Sequence, residues 1–354
     1  MNATIVGFAI AALSAIIPLE FAQAHHVGGA GNTADAGPIN TISASTLEAS
    51  CAVAGVTIDY TSLNTLAGST LVNATATGID GVHGLKTLQS YSLVAAYGVT
   101  NDLMFSLRLP WIDRTGIDAA ERDPSTNIIE VLDHGGADGV GDISVQVQYR
   151  FLRNGSFEAA ALLGFTAPAG PTNRRSRQDE LLDAEFQPGS GAWAGNFGLA
   201  LTHRAGPWSF DANVMYEVNG EGTQNTDLGN IFLYNFAVSH RLTALSSGDP
   251  MFNGGQAHHA GDDGHHHNRA EHSTQSAALD LVLEVNGQWH EKQSQSGLAD
   301  ANSGSRSIFL SPGLRLTAGN MSAFASVGIP VLNEFNGIQP DNDWRMTSGI
   351  LIGF

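Results

Sequence analysis

The sequence predicts an all-β fold: a transmembrane, antiparallel, up-and-down β-barrel of about twelve strands. Two observations carry this. Apolar and polar residues alternate with a period of two in segment after segment, which is the strand period. The connections between those segments alternate short and long, as in outer-membrane barrels, which turn tightly on the periplasmic side and loop outside. A soluble sandwich shares the alternation but has no reason to keep that parity. In hydrocarbon a sheet has to close, because an unpaired edge finds no water.

Composition narrows the class. The 354 residues carry a net charge of −18, with only 16 Lys plus Arg, against the basic footprint that nucleic-acid binding requires. Charged residues make up 14% and mean hydropathy is near zero, which excludes both a wholly disordered chain and a bundle of membrane helices. The one long apolar run, residues 4–19, precedes Ala22-Gln23-Ala24, an A-x-A cleavage pattern. Residues 1–24 therefore read as a secretory signal peptide, with the mature chain starting at His25. No Lys or Arg precedes the run, so an uncleaved anchor is the alternative. Cys51 is the single cysteine and forms no intramolecular disulfide.

The polar, Gly-rich residues 25–50 read as an irregular periplasmic lead-in to a barrel over 51–354. Outward-facing apolar sets then follow in order: Val56, Ile58 and Tyr60; Tyr91, Leu93 and Tyr97; Phe105, Leu107 and Trp111; Val145, Val147 and Tyr149; Phe157, Leu163 and Phe165; Phe197, Leu199 and Leu201. The second half repeats the pattern with Trp208, Phe210 and Val214; Phe232, Tyr234 and Phe236; Leu281, Leu283 and Val285; Leu310, Leu314 and Leu316; Ala325, Val327 and Ile329. The last segment places Trp344, Met346, Ile350, Ile352 and Phe354 on one face, a strand that barrel assembly machinery would recognise through Phe354. Short turns fall near 98–101, 153–156, 204–207 and 317–320, and long polar links near 62–85, 113–139, 168–190, 219–227, 291–304 and 331–342. One link breaks the parity: a His-rich insert at about 243–277, expected on the periplasmic side.

The alternation assigns Asp59, Arg108, Gln146, Gln148, Arg150, Asp211, Glu217, Asp280, Glu284, Arg315 and Arg345 to the lumen. They would form either a polar path or a network of Arg–carboxylate pairs that satisfies buried charge. Imidazole suits Cu, Zn and Ni. His258, His259, His265, His266, His267 and His272 in the insert, and His25 with its α-amine beside His26, are the candidate metal ligands. No cofactor is required. An enzyme is not expected: Ser239 neighbours His240, but nothing brings a Ser and a His to one face, and His203 and His290 sit at strand ends. The glycine-rich run 135–141 opens a strand rather than a helix, so it is not a phosphate loop.

The block Gly-Val-Gly-Asp-Ile-Ser-Val-Gln-Val-Gln-Tyr-Arg-Phe (139–151) resembles a recurrent block of an outer-membrane family named for the meta-cleavage (MetA) pathway of phenol degradation. Residues 97–110 and Pro-Gly-Ser-Gly (188–191) resemble further blocks of it, and the resemblance spans about 50–354. It implies a bacterial outer-membrane barrel that moves small, often hydrophobic, compounds. The expectation is a channel embedded in outer-membrane lipid and passing a small-molecule solute, apolar or metal-associated. The rival is a metal-binding barrel serving Cu, Zn or Ni homeostasis.

Overall fold

A computed structural model describes residues 36–79, 81–245 and 277–354, the side chains of 243–245 excepted. The expected signal peptide, His25, His26 and residues 246–276 of the His-rich insert, with all six of its histidines, lie outside the described residues.

Numbering the long barrel strands alone, the described residues form β1 (Ala52–Asn64), β2 (Thr87–Thr100), β3 (Leu103–Arg122), β4 (Ile143–Asn154), β5 (Phe157–Ala167) and β6 (Ala194–Ala205). They continue as β7 (Trp208–Asn219), β8 (Ile231–Leu245), β9 (Ala277–His290), β10 (Ser305–Ala318), β11 (Met321–Phe335) and β12 (Asp341–Gly353). Each pairs antiparallel with its neighbour in sequence, and β12 returns to β1 in a register from Val53↔Gly353 to Asn64↔Asp341. Phe354 N–H donates to the Ala52 carbonyl at 2.8 Å and seals that seam. The barrel is closed, so its wall has no free edge.

The period-two reading holds on both faces. Leu93, Leu163 and Leu199 point outward, 59%, 63% and 51% exposed, while the alternate positions Ser92, Leu162 and Ala200 are buried inside. Three hairpins, β4–β5, β6–β7 and β10–β11, turn in two residues, each opening on a glycine (Gly155, Gly206 and Gly319) whose φ of 57° to 59° only glycine adopts freely. All three turns lie at the end of the barrel where Leu245 and Ala277 root the His-rich insert.

Two segments differ from expectation. The link expected over 113–139 is largely strand. β3 runs on to Arg122 and is met by Ile129–Val140, paired from Trp111↔Val140 to Arg122↔Ile129. This hairpin runs on past the wall and buries Ile117 and Ala137 against other connections rather than facing lipid, so the apolar alternation that marks a wall strand is not required. The lead-in expected on the periplasmic side is, over residues 36–47, inside the barrel. Ile39 and Leu47 pack on Val94, Met104, Phe324 and Leu351, and Ile42 and Ala44 on Leu162 and Met215. The wall makes room with small residues. A side chain at Gly98 would collide with the Glu48 carbonyl, and one at Gly313 with the Ile39 side chain 2.6 Å away.

An arginine at Leu163, in the middle of β5 and facing lipid, should cost about 2–4 kcal/mol. Urea unfolding of Leu163→Arg in lipid, followed by the electrophoretic mobility shift between folded and heated barrel, reads that loss. Unchanged stability would place Leu163 off the lipid face.

Candidate functional site

The lumen is built in three tiers: a plug, a chamber and a cap. The plug is residues 36–47. Its backbone cannot pair as a strand, so the wall supplies the partners. The Glu284 carboxylate accepts from three successive N–H groups, Ile39 at 3.0 Å, Asn40 at 2.9 Å and Thr41 at 3.0 Å, and from Asn40 Nδ2 at 2.6 Å. Ile42 N–H donates to Asn213 Oδ1 at 2.9 Å and Ala44 N–H to Thr202 Oγ1 at 2.8 Å. Gln148 Nε2 donates to the Ser43 and Ser45 carbonyls at 3.0 and 2.9 Å, and the Ser45 hydroxyl donates to Glu158 at 2.8 Å. Hydrogen bonds to charged groups contribute about 1.5–3 kcal/mol each, so Glu284 is the strongest single fastening of the plug.

Ten of the eleven residues assigned to the lumen are buried there, and they divide by height. Toward the short-turn end they hold wall and plug together. Arg150 donates to Asp102 at 2.9 Å and to Glu158 at 3.0 Å, Arg241 grips Asp280 at 2.7 and 3.0 Å, and Arg315 Nε donates to Ser322 at 3.1 Å. Asp211 accepts from Thr202 at 2.6 Å and Ser209 at 2.8 Å, and Gln146 reaches Met215 Sδ at 3.6 Å. Arg345, half-buried, is farther from that end, paired with Thr61 of the chamber wall, and lays its guanidinium over the Phe309 ring at 3.9 Å. Higher up, Asp59, Arg108 and Glu217 line a cavity with about 1000 Å³ of empty space, its opening included. Arg108 stands 3.9 Å from Asp59 and donates to Ser90 at 2.8 Å. His290 shares this wall with apolar Leu88, Ile112, Ala194 and Ile231. Ser239 points inward, and the next residue, His240, takes the opposite face and stacks on Trp208 at 4.1 Å. Successive strand residues diverge, so that pair is no nucleophile–base dyad.

The cap is the connection over 168–193, folded over the chamber. Asp142 accepts from the N–H of Ala169 and Gly170 at 3.0 Å and from Ser190 at 2.8 Å. Arg114 NH1 donates to the Gln187 carbonyl at 3.0 Å. Phe186 is fully buried among Leu85, Ile117, Ala137 and Leu182. Around it gather His83, Asp183, Glu185 and His134, which no motif or spacing groups together. Burial lowers the His83 imidazole to about 4, and burial raises the Asp183 carboxyl to about 6. At neutral pH the first is uncharged and the second ionised. The plug did leave a trace in the sequence: residues 37–47 contain no charged side chain, unlike a solvated spacer.

A closed twelve-stranded barrel with an apolar outer face and a polar lumen is a bacterial outer-membrane protein, and no described helix is long and apolar enough to cross a membrane. The fold matches an outer membrane channel from Pseudomonas putida F1 at a TM-score of 0.51 and 14% identity, over 88% of this chain and 97% of that one. LpxR from Salmonella typhimurium is looser, at a TM-score of 0.40 and 12% identity, over 85% of this chain and 99% of that one. No curated protein matches the sequence. The model of the family described by the MetA pathway of phenol degradation matches residues 97–290, over half of the chain. The chain belongs to that family.

Replacing Glu284 by alanine removes the acceptor of three plug amides while leaving the β9 ladder intact. The expected outcome is at least a 10-fold faster hydrogen exchange at residues 39–41, with strand amides unchanged. Unaltered exchange would show that apolar packing alone seats the plug.

Proposed function

We propose that the protein is an outer-membrane channel for a small solute with an apolar body and a polar group. The observation that carries this reading is the chamber. A pocket lies between plug and cap and sets Asp59, Arg108 and Glu217 among Leu88, Ile112 and Ile231. A wall of that mixture suits neither a bare ion nor a pure hydrocarbon. It suits a compound whose polar atom can bond to the charged side while its body rests on the aliphatic one. The plug is the gate. It is held by polar contacts to the wall rather than by a strand ladder, so it can leave without opening the barrel. Membership of a family named for phenol degradation is consistent with a solute of this character.

Liposome swelling and single-channel recording test the proposal together. Removing residues 36–47 should raise conductance and solute flux several-fold over the intact protein, with folded yield preserved. Arg108→Ala should reduce flux of a phenolic solute more than that of a sugar of similar size. Equal, near-zero flux for intact and plug-deleted proteins would end the channel reading.

A second reading concerns the insert. Its roots, Leu245 and Ala277, sit at the short-turn end, which is the periplasmic one in this class. Six histidines in that segment, with Asp262, Asp263 and Glu271, would collect Cu, Zn or Ni, and His25 and His26 offer further imidazoles in the sequence. Titration calorimetry decides it: identical heats for the intact protein and one lacking 255–272 and both N-terminal histidines would remove this role.

A further inference from the structure

The cap holds a group of residues that the plug does not use and of which Glu185 alone also lines the chamber. His83 lies on a two-residue strand, His83–Gly84, paired to the outer part of β3. Asp183 and Glu185 belong to the cap connection, Asp183 capping and Glu185 lying within its single turn of 3-10 helix, Ala184–Phe186. One donor atom from each of the three lies within 4.8 Å of the other two. His83 Nε2 faces Asp183 Oδ2 at 3.6 Å, which is too long for a hydrogen bond. It is the spacing of two ligands on one ion: donors about 2.1 Å from a tetrahedral cation stand about 3.4 Å apart.

We propose that His83, Asp183 and Glu185 form a site for a divalent transition-metal ion of the zinc type, which clasps the cap to the barrel rim. One imidazole and two carboxylates make a donor set that zinc accepts, with a fourth position left for water or another side chain. His134 is the neighbour suited to that role. Its ring lies 6.2 Å from that of His83 and its Nε2 is 2.8 Å from Glu121 Oε1. A carboxylate behind an imidazole is the arrangement that orients metal-binding histidines. Burial supports the assignment. His83 and Glu185 are buried in the described structure, beside the Arg114 guanidinium that attracts Glu185, so an ion held there would be shielded from water. The Phe186 ring, 5.2 Å from His83 and edge-on, closes the apolar side of the group. The ligands come from connections roughly a hundred residues apart in the chain, so an ion there joins the first outer loop to the third, directly over the chamber that Glu185 also lines. This site is separate from the insert and does not depend on the solute reading.

The test uses the folded protein in detergent, in a background lacking residues 255–272 and with His25 and His26 replaced by alanine, so that the insert contributes nothing. Titration with Zn²⁺ should show one ion bound per chain, and Co²⁺ should give the visible absorption of a tetrahedral site. His83→Ala, and the isosteric Asp183→Asn and Glu185→Gln, should each weaken binding at least 10-fold. Zn²⁺ should slow hydrogen exchange over 176–190 in the background protein and leave the His83→Ala protein unaffected. Equal affinity in background and variants would overturn the site, and binding without slower exchange over 176–190 would overturn the clasp.

Discussion

Closure in lipid is the constraint from which the rest of this structure follows. Every N–H and C=O in the wall has to find a partner within the wall, and β12 therefore returns to β1. Twelve strands make a circle wider than side chains can fill; eight are just filled. The inner face worsens the shortfall, since many of its positions are Ser, Thr, Gly or Ala. The space has to be occupied by water or by another part of the chain. Here the answer differs by height: residues 36–47 take the short-turn half, and the other half remains a chamber.

That division decides what each inward charge does. Arg150 and Glu158 meet at 3.0 Å, Glu158 accepts from the plug's Ser45 at 2.8 Å, and in that crowded tier an unpaired charge would be costly. Glu284 is neutralised differently, by three backbone N–H groups rather than by a cation. Its partners belong to a segment that the wall does not need for its own integrity. Asp59 and Arg108, 3.9 Å apart, sit where no plug residue reaches and leave charge facing the cavity. One polar inner surface thus fastens the plug below and lines an open chamber above.

The twelve strands and their faces were legible because lipid imposes a pattern that no interior packing can override. The lumen side of Asp59, Arg108 and Glu284 followed from the same period. What each of them meets did not follow, because a period of two names a face and not a partner. The lead-in was misplaced for a related reason: a segment bonded through its backbone needs no particular side chains. Only the lack of charge over 37–47 hinted at a dry location. The His83, Asp183 and Glu185 group left no local signature, since it is assembled by a fold that brings separate loops over one mouth. The hairpin over 129–140 hid behind polar residues for the opposite reason: above the bilayer, strand pairing continues after the selection for greasy faces has ended.

The plug and the cap are fastened by unlike means, and this bears on how passage through the barrel can be controlled. The plug is held from within, by a carboxylate and amides on backbone that can slide out as one segment. The cap is held from above, by a buried aromatic, by Arg114 and Asp142, and by a cluster of ionisable groups outside the lipid zone. Groups in that position respond to the solution outside the cell, while the plug faces the opposite compartment. Neither fastening shares a residue with the other, and the chamber lies between them. In the proposed channel, a solute held on Asp59 and Arg108 would be one barrier away from each side. Two closures of that proposed channel that yield independently would permit passage in stages without ever requiring a continuous open pore through the membrane.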